Sequence, residues 1–159
     1  MNDFGLEIDN TRIEELLKLA IVSASEAEGF YAELAERAAP PEQRERLGKI
    51  LRLKTKHKAT LEGLYVMVTL EKPERLPERG LVSYTEIKSE GESQGYLGQV
   101  IGLEEKVCRY YQELSKRTDD QQLRHLLRML AEEQQSMVNL LWELTVAGPS
   151  PGVVKHRLL

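Results

Sequence analysis

Apolar residues recur along four stretches of the chain at alternating steps of three and four, the spacing that lines one face of an α-helix. The first stripe runs Ile13, Leu17, Ala20, Ala24, Ala27, Tyr31, Leu34 and Ala38. Thr11 and Glu14 ahead of it match a capping box, in which a hydroxyl and a carboxylate satisfy free amides at a helix start. "APPE" ends this helix, and Pro41 suits the first turn of the next. The second stripe is Leu47, Ile50/Leu51, Lys54, His57, Leu61, Leu64 and Val68, ending before Pro73. The third is Leu97, Val100/Ile101, Glu104, Val107/Cys108, Tyr111, Leu114 and Thr118. After the turn "TDDQ" comes the fourth: Leu123, Leu127, Leu130, Gln134, Met137, Leu141 and Leu144. The pattern predicts helices over about 11–38, 42–71, 94–118 and 121–147, with "GPSPG" as the final stop.

Two short turns make two antiparallel helix pairs. Residues 72–93 hold prolines, glycines and no sustained period, which reads as a linker. A helix of ~27 residues spans ~40 Å, and ~22 extended residues reach ~70 Å. The linker can therefore run the length of a bundle and start the third helix at the far end. The halves also resemble each other. "FYAELAERA" at 30–38 answers to "YYQELSKRT" at 110–118, with Tyr31, Glu33, Leu34 and Arg37 recurring at a constant offset of 80 (111 − 31) as Tyr111, Glu113, Leu114 and Arg117. The expected architecture is all-α: a duplicated helical hairpin forming one four-helix bundle over residues 1–147, with a tail at 148–159.

Composition narrows the function classes. A net charge of −4, with Lys and Arg dispersed among Glu, argues against a nucleic-acid backbone or an anionic membrane as partner. The N-terminal "MNDFGLEIDN" lacks the layout of a signal peptide, no stretch is apolar enough to span a bilayer, and Cys108 is alone. A cytoplasmic, reduced setting is the expectation. No phosphate-binding glycine loop, nucleophile elbow or zinc signature appears.

The stripes contain an anomaly. Lys54, His57, Glu104 and Gln134 stand where a bundle core should be apolar. Counted outward from the two turns, Ala24, Lys54, His57, Glu104, Gln134 and Met137 all lie about 14 to 18 residues away, within roughly one helical turn of a common height. A mid-bundle polar layer needs compensation, because an unpaired buried charge is costly. A metal site or a closed charge cluster would supply it.

This layout resembles the ferritin-like superfamily, and most closely its rubrerythrin branch, over residues 11–147. That resemblance implies a dimer and a di-iron centre with peroxide-reducing or oxygen-activating chemistry. Each hairpin would give a Glu seven residues before an aromatic of an "FY" pair, and a Glu-x-x-His on its second helix. Carried onto this chain, Glu104 fits, seven before Tyr111, whereas seven before Tyr31 stands Ala24. "KTKH" keeps His57 but puts Lys54 at a bridging carboxylate's place, and "QQSM" gives Gln134 and Met137 for the second pair. Glu104 and His57 are the remnants, and a lysine in the layer repels cations directly. The paired cysteines of a rubredoxin-like extension are absent from the sequence.

The leading expectation is a non-catalytic, self-associating homodimeric scaffold or binding protein without a cofactor, in which Lys54 pairs with Glu104 or Glu28 and His57 and Gln134 close the hydrogen bonds. The alternatives are an iron-dependent peroxidase or oxidase, and a weak mononuclear metal protein using Glu104 and His57 with help from Glu28. Glu26, Glu105, Glu132 and Glu133 fall off the stripes, and most of them read as solvated. Tyr31 and Tyr111 read as packing. A copper site of Cys108, Met137 and His57 is rejected on height, and Trp142 and the tail are candidates for a subunit contact.

Overall fold

The structure, a computed structural model, describes residues 12–37, 40–84, 87 and 93–146. Four helices follow in order: α1 Ile13–Arg37, α2 Pro41–Thr69, α3 Ser93–Lys116 and α4 Gln121–Val146. α1 packs along α2 and α3 along α4, and the two hairpins meet with α2 against α4. This is the two-hairpin bundle with a long crossover that the periodicity predicts. The predicted Thr11 cap and the 148–159 tail lie outside the described residues.

Local chemistry sets the helix ends. Pro41 occupies the first turn of α2, where its missing N–H costs nothing. α2 ends two residues before the predicted 71, because Leu70 turns left-handed at φ 62° and returns its N–H to Val66 O at 2.7 Å. Asp120 caps α4 by accepting from Leu123 N at 2.9 Å. Arg124 closes the same turn through hydrogen bonds to Thr118 O.

The stripes face inward. Leu17, Ala20, Ile21, Ile50, Leu61, Leu127 and Leu141 are fully buried, as are Tyr31, Tyr110 and Tyr111. The duplication is not symmetric at its aromatic pairs. Tyr110 is buried and donates its hydroxyl to Leu16 O at 2.7 Å, across the bundle. Its counterpart Phe30 has no hydroxyl and stays half-buried beside the crossover, 5.2 Å ring to ring from Tyr84.

The crossover is more than a tether. Leu81 donates its backbone N–H to Ser23 Oγ, and Gly80 N reaches Glu26 Oε1 at 3.2 Å. These contacts explain the buried serine in the middle of α1. Gly80 is required there by proximity: a Cβ would fall 2.6 Å from Ser23 N and 2.7 Å from its Cα. Pinned in this way, the crossover buries Val82 and Tyr84 in the core. Periodicity could not find them, since a strap across helices has no repeat of its own.

Candidate functional site

The mid-bundle layer is a closed charge cluster centred on Glu104 of α3. Lys54 of α2 and Glu104 are both buried, with Nζ 2.6 Å from Oε1. Gln134 of α4 donates Nε2 to the same oxygen at 2.7 Å and to the backbone carbonyl of Glu104 at 2.9 Å. Its own Oε1 accepts from Lys54 Nζ at 3.2 Å. On the other side, Tyr31 of α1 donates to Oε2 at 2.6 Å and Tyr84 of the crossover at 2.8 Å. An ionised carboxylate offers about four lone-pair positions, and here four side-chain donors fill them. All four helices and the strap meet at this one group.

The electrostatics follow from those contacts. Burial alone would raise the pKa of Glu104. The Lys54 ammonium and hydrogen bonds from Lys54, Tyr31 and Gln134 outweigh burial and hold the carboxyl below its usual range. The two tyrosines move the other way. Burial first, and then the neighbouring carboxylate, push Tyr31 and Tyr84 well above the ordinary phenol value. The cluster is thus a carboxylate and a cation with two neutral phenols and an amide, internally neutralised.

His57 belongs to the same height but to a different set. Its ring is fully buried, edge-on to Tyr111 at 6.2 Å, and Nε2 lies 3.2 Å from Glu133 Oε1. Nδ1 has no partner. Burial and then the Lys54 charge lower its pKa to about 4, with Glu133 opposing only in part, so the imidazole is neutral at pH 7. A neutral ring that donates from Nε2 leaves Nδ1 as a bare acceptor in the core.

The structure sorts the expected residues. Lys54 pairs with Glu104 and not Glu28, which accepts from Thr55 Oγ1 at 2.7 Å and sits 3.5 Å from Lys58. Gln134 closes the cluster as expected, whereas no hydrogen bond joins His57 to it. Ala24 and Met137 are buried without polar function. Glu105 and Glu132 are exposed as predicted, but Glu133 is not merely solvated, since it bridges His57 to Lys56 Nζ at 2.6 Å. Glu26 likewise anchors the crossover. Tyr31 does more than pack. Its place in the first stripe signals burial, and a buried hydroxyl needs an acceptor, so the stripe already held the clue. For Tyr84 the sequence carries no such signal. The Cys108 thiol lies 3.5 Å from Ala131 O, and burial raises it above its usual range.

Among the described residues, no three His, Cys, Asp or Glu side chains gather as a metal ion would need. None of the described helices is long and apolar enough to cross a membrane. No protein-family model matches the chain, and no curated protein matches it. A solved structure, a hypothetical protein from Pyrococcus furiosus, superposes with a TM-score of 0.73 over 85% of this chain and 89% of that one, at 22% sequence identity. At that identity the likeness concerns the fold alone. The architecture is an all-α four-helix bundle, consistent with the general ferritin-like fold.

Proposed function

We propose that this chain is a rubrerythrin-like bundle whose metal layer has been replaced by a built-in ion pair, and that it acts as a non-catalytic, self-associating scaffold or binding protein. The observation that carries this reading is the saturated carboxylate: Glu104 spends both oxygens on Lys54, Gln134, Tyr31 and Tyr84. The residues present do not fit a pair of irons. A bridging position is held by a cation, Ala24 offers no ligand, and the one buried carboxylate of the layer has no oxygen left to give. The Lys54 ammonium supplies the positive charge that metal ions would bring.

Self-association draws support from the surface. Trp142 on α4 and Val66, Met67 and Leu70 at the end of α2 are large apolar side chains left exposed, the kind of residue that dimer interfaces bury. A second reading, a weak single-metal site, draws on the unpartnered Nδ1 of His57, a vacant soft-to-borderline donor.

Ferrous iron reconstitution under argon, followed by metal analysis and absorption spectroscopy, separates these readings. The expected result is no stoichiometric iron in the wild type. Two irons per chain with an oxo-bridged band would overturn the proposal. One weakly held ion lost in His57→Ala would establish the second reading. Sedimentation equilibrium tests assembly, with a monomer at all concentrations contradicting the scaffold part.

A further inference from the structure

A cleft of about 480 Å³ opens on the bundle surface where the second half of α1, the crossover and the start of α3 meet. It shares only Tyr84 with the buried layer. Its walls are aromatic and aliphatic: Phe30, Tyr84 and Tyr96, with Leu34 and Ile87. Phe30 stands between the two tyrosines, 5.2 Å from the Tyr84 ring and 6.2 Å from that of Tyr96, inclined at 40° and 37°. Such tilted neighbours leave ring faces available to a guest. The size falls within the range of small-molecule sites, which pair apolar walls with a few oriented polar groups.

The polar groups here specify a sign. Glu33 and Arg37 on the rim, one turn apart, form a salt bridge with each other and cancel. Glu26 remains. One of its oxygens accepts from Gly80 N, and among the described residues no Lys, Arg or His pairs with it. A half-buried carboxylate with no cation on it among the described residues, beside electron-rich ring faces, recognises positive charge twice over, by charge-assisted hydrogen bonding and by cation–π attraction. Gly29 makes room. A Cβ at this position would meet nothing within 4 Å, so the helix surface facing the cleft is open where a large side chain would fill it.

We propose that this cleft binds a small amphipathic amine, an organic ammonium on a flat apolar body, with the ammonium at Glu26 and the body against Phe30, Tyr84 and Tyr96. Occupancy neither requires nor excludes metal at the buried layer, so the proposal stands apart from the scaffold reading. Because the Tyr84 ring lines the cleft while its hydroxyl holds Glu104, a bound amine also braces the strap from outside.

The test uses three probes of nearly equal shape on the full chain: 4-phenylbutylamine, 4-phenylbutanol and 4-phenylbutyrate, titrated by saturation-transfer NMR in physiological salt. The ammonium is expected to bind about tenfold tighter than the alcohol, the increment of one charged hydrogen bond, and the carboxylate weakest. Glu26→Gln, which keeps an acceptor for Gly80, should bring the amine down to the alcohol's level. Gly29→Leu should abolish binding of all three by filling the cleft, while Gly29→Ala preserves it; circular dichroism verifies that each variant folds. Glu33→Gln should change the amine's affinity by less than about twofold, since that carboxylate is already paired. Equal binding of the three probes, no binding by the amine up to its solubility limit, or amine binding that survives in folded Gly29→Leu would each overturn the proposal.

Discussion

Replacing Lys54 by Met removes a cation and leaves its partner behind, and that remainder sets the size of the effect. Glu104 is fully buried and would keep three donors, Gln134, Tyr31 and Tyr84, but lose the only positive charge on it. Breaking a buried pair from one side typically costs ~3–5 kcal/mol, because a lone charge stays in a poor solvent. In a domain of this size each kcal/mol moves Tm by about 2–4 °C, so Lys54→Met should melt roughly 6–20 °C below wild type. Glu104→Gln strands the ammonium and should cost a similar amount. The double variant Lys54→Met/Glu104→Gln strands no charge. Tyr31 and Tyr84 can donate to the new amide oxygen, and Gln134 can turn its own amide over to accept from the new NH₂. Swapping a whole buried pair for neutral groups is often near neutral, so the double variant should fall within ~2 kcal/mol of wild type. Thermal and urea melts of the four proteins at pH 7 give a coupling of several kcal/mol, little changed by salt because the pair is shielded from ions. If the two single losses simply add in the double variant, the charges do not interact and the account of the layer is wrong.

Three further outcomes follow from neighbouring contacts. Tyr84→Phe removes one of the four donors on Glu104 and should cost ~1.5–3 kcal/mol in urea melts, the range for a hydrogen bond to a charged group; a loss under ~0.5 kcal/mol would mean that the strap does not reach the carboxylate. Gly80→Ala drives a methyl into the Ser23 backbone, and should cost ~1–3 kcal/mol while accelerating hydrogen exchange in the crossover; unchanged exchange would contradict the close approach. His57 has a folded pKa of about 4, against ~6.5 unfolded, so the unfolded chain takes up a proton between those values and the folded one does not. Wild-type stability should therefore fall by about 3 kcal/mol as pH drops from 6.5 to 4, and His57→Leu should flatten that part of the profile; an identical slope in both proteins would assign the loss to other groups. Glu104 adds a separate acid limit. With its folded pKa depressed, its contribution is complete above the ordinary carboxylate range and is lost as pH falls through the folded value.

Much of the fold could be read from residue spacing, because a bundle writes its core as a repeat: four stripes, two Pro- or Asp-marked turns and one aperiodic link fix the hairpins. The polar layer was legible for the same reason. Lys54, Glu104 and Gln134 interrupt apolar stripes at matching heights, and the structure brings those three together. Residues off the stripes were harder. Glu133 lies one position before Gln134, where helical phase alone suggests solvent, yet its side chain is long enough to curl back to His57. Tyr84 sits in a segment whose course depends on the close approach of Gly80 to Ser23, a tertiary contact with no local signature. The cleft escaped for a related reason. Its walls come from α1, the strap and α3, and its mouth depends on Phe30 being left half-buried where the equivalent Tyr110 is enclosed.

The buried ion pair of the layer has a consequence for how two such similar hairpins find each other. Leucine-lined seams tolerate sliding, since a shift of one turn, about 5.4 Å, trades one aliphatic contact for another. Lys54 and Glu104 sit on opposite hairpins and meet at 2.6 Å. A slide in either direction would bury each against hydrocarbon, so the mismatched alignment is penalised where mispairing is expensive. The charge at the centre acts as a locating pin that selects one alignment out of several nearly equal ones, and the duplicated chain needs such a pin more than an unduplicated one would.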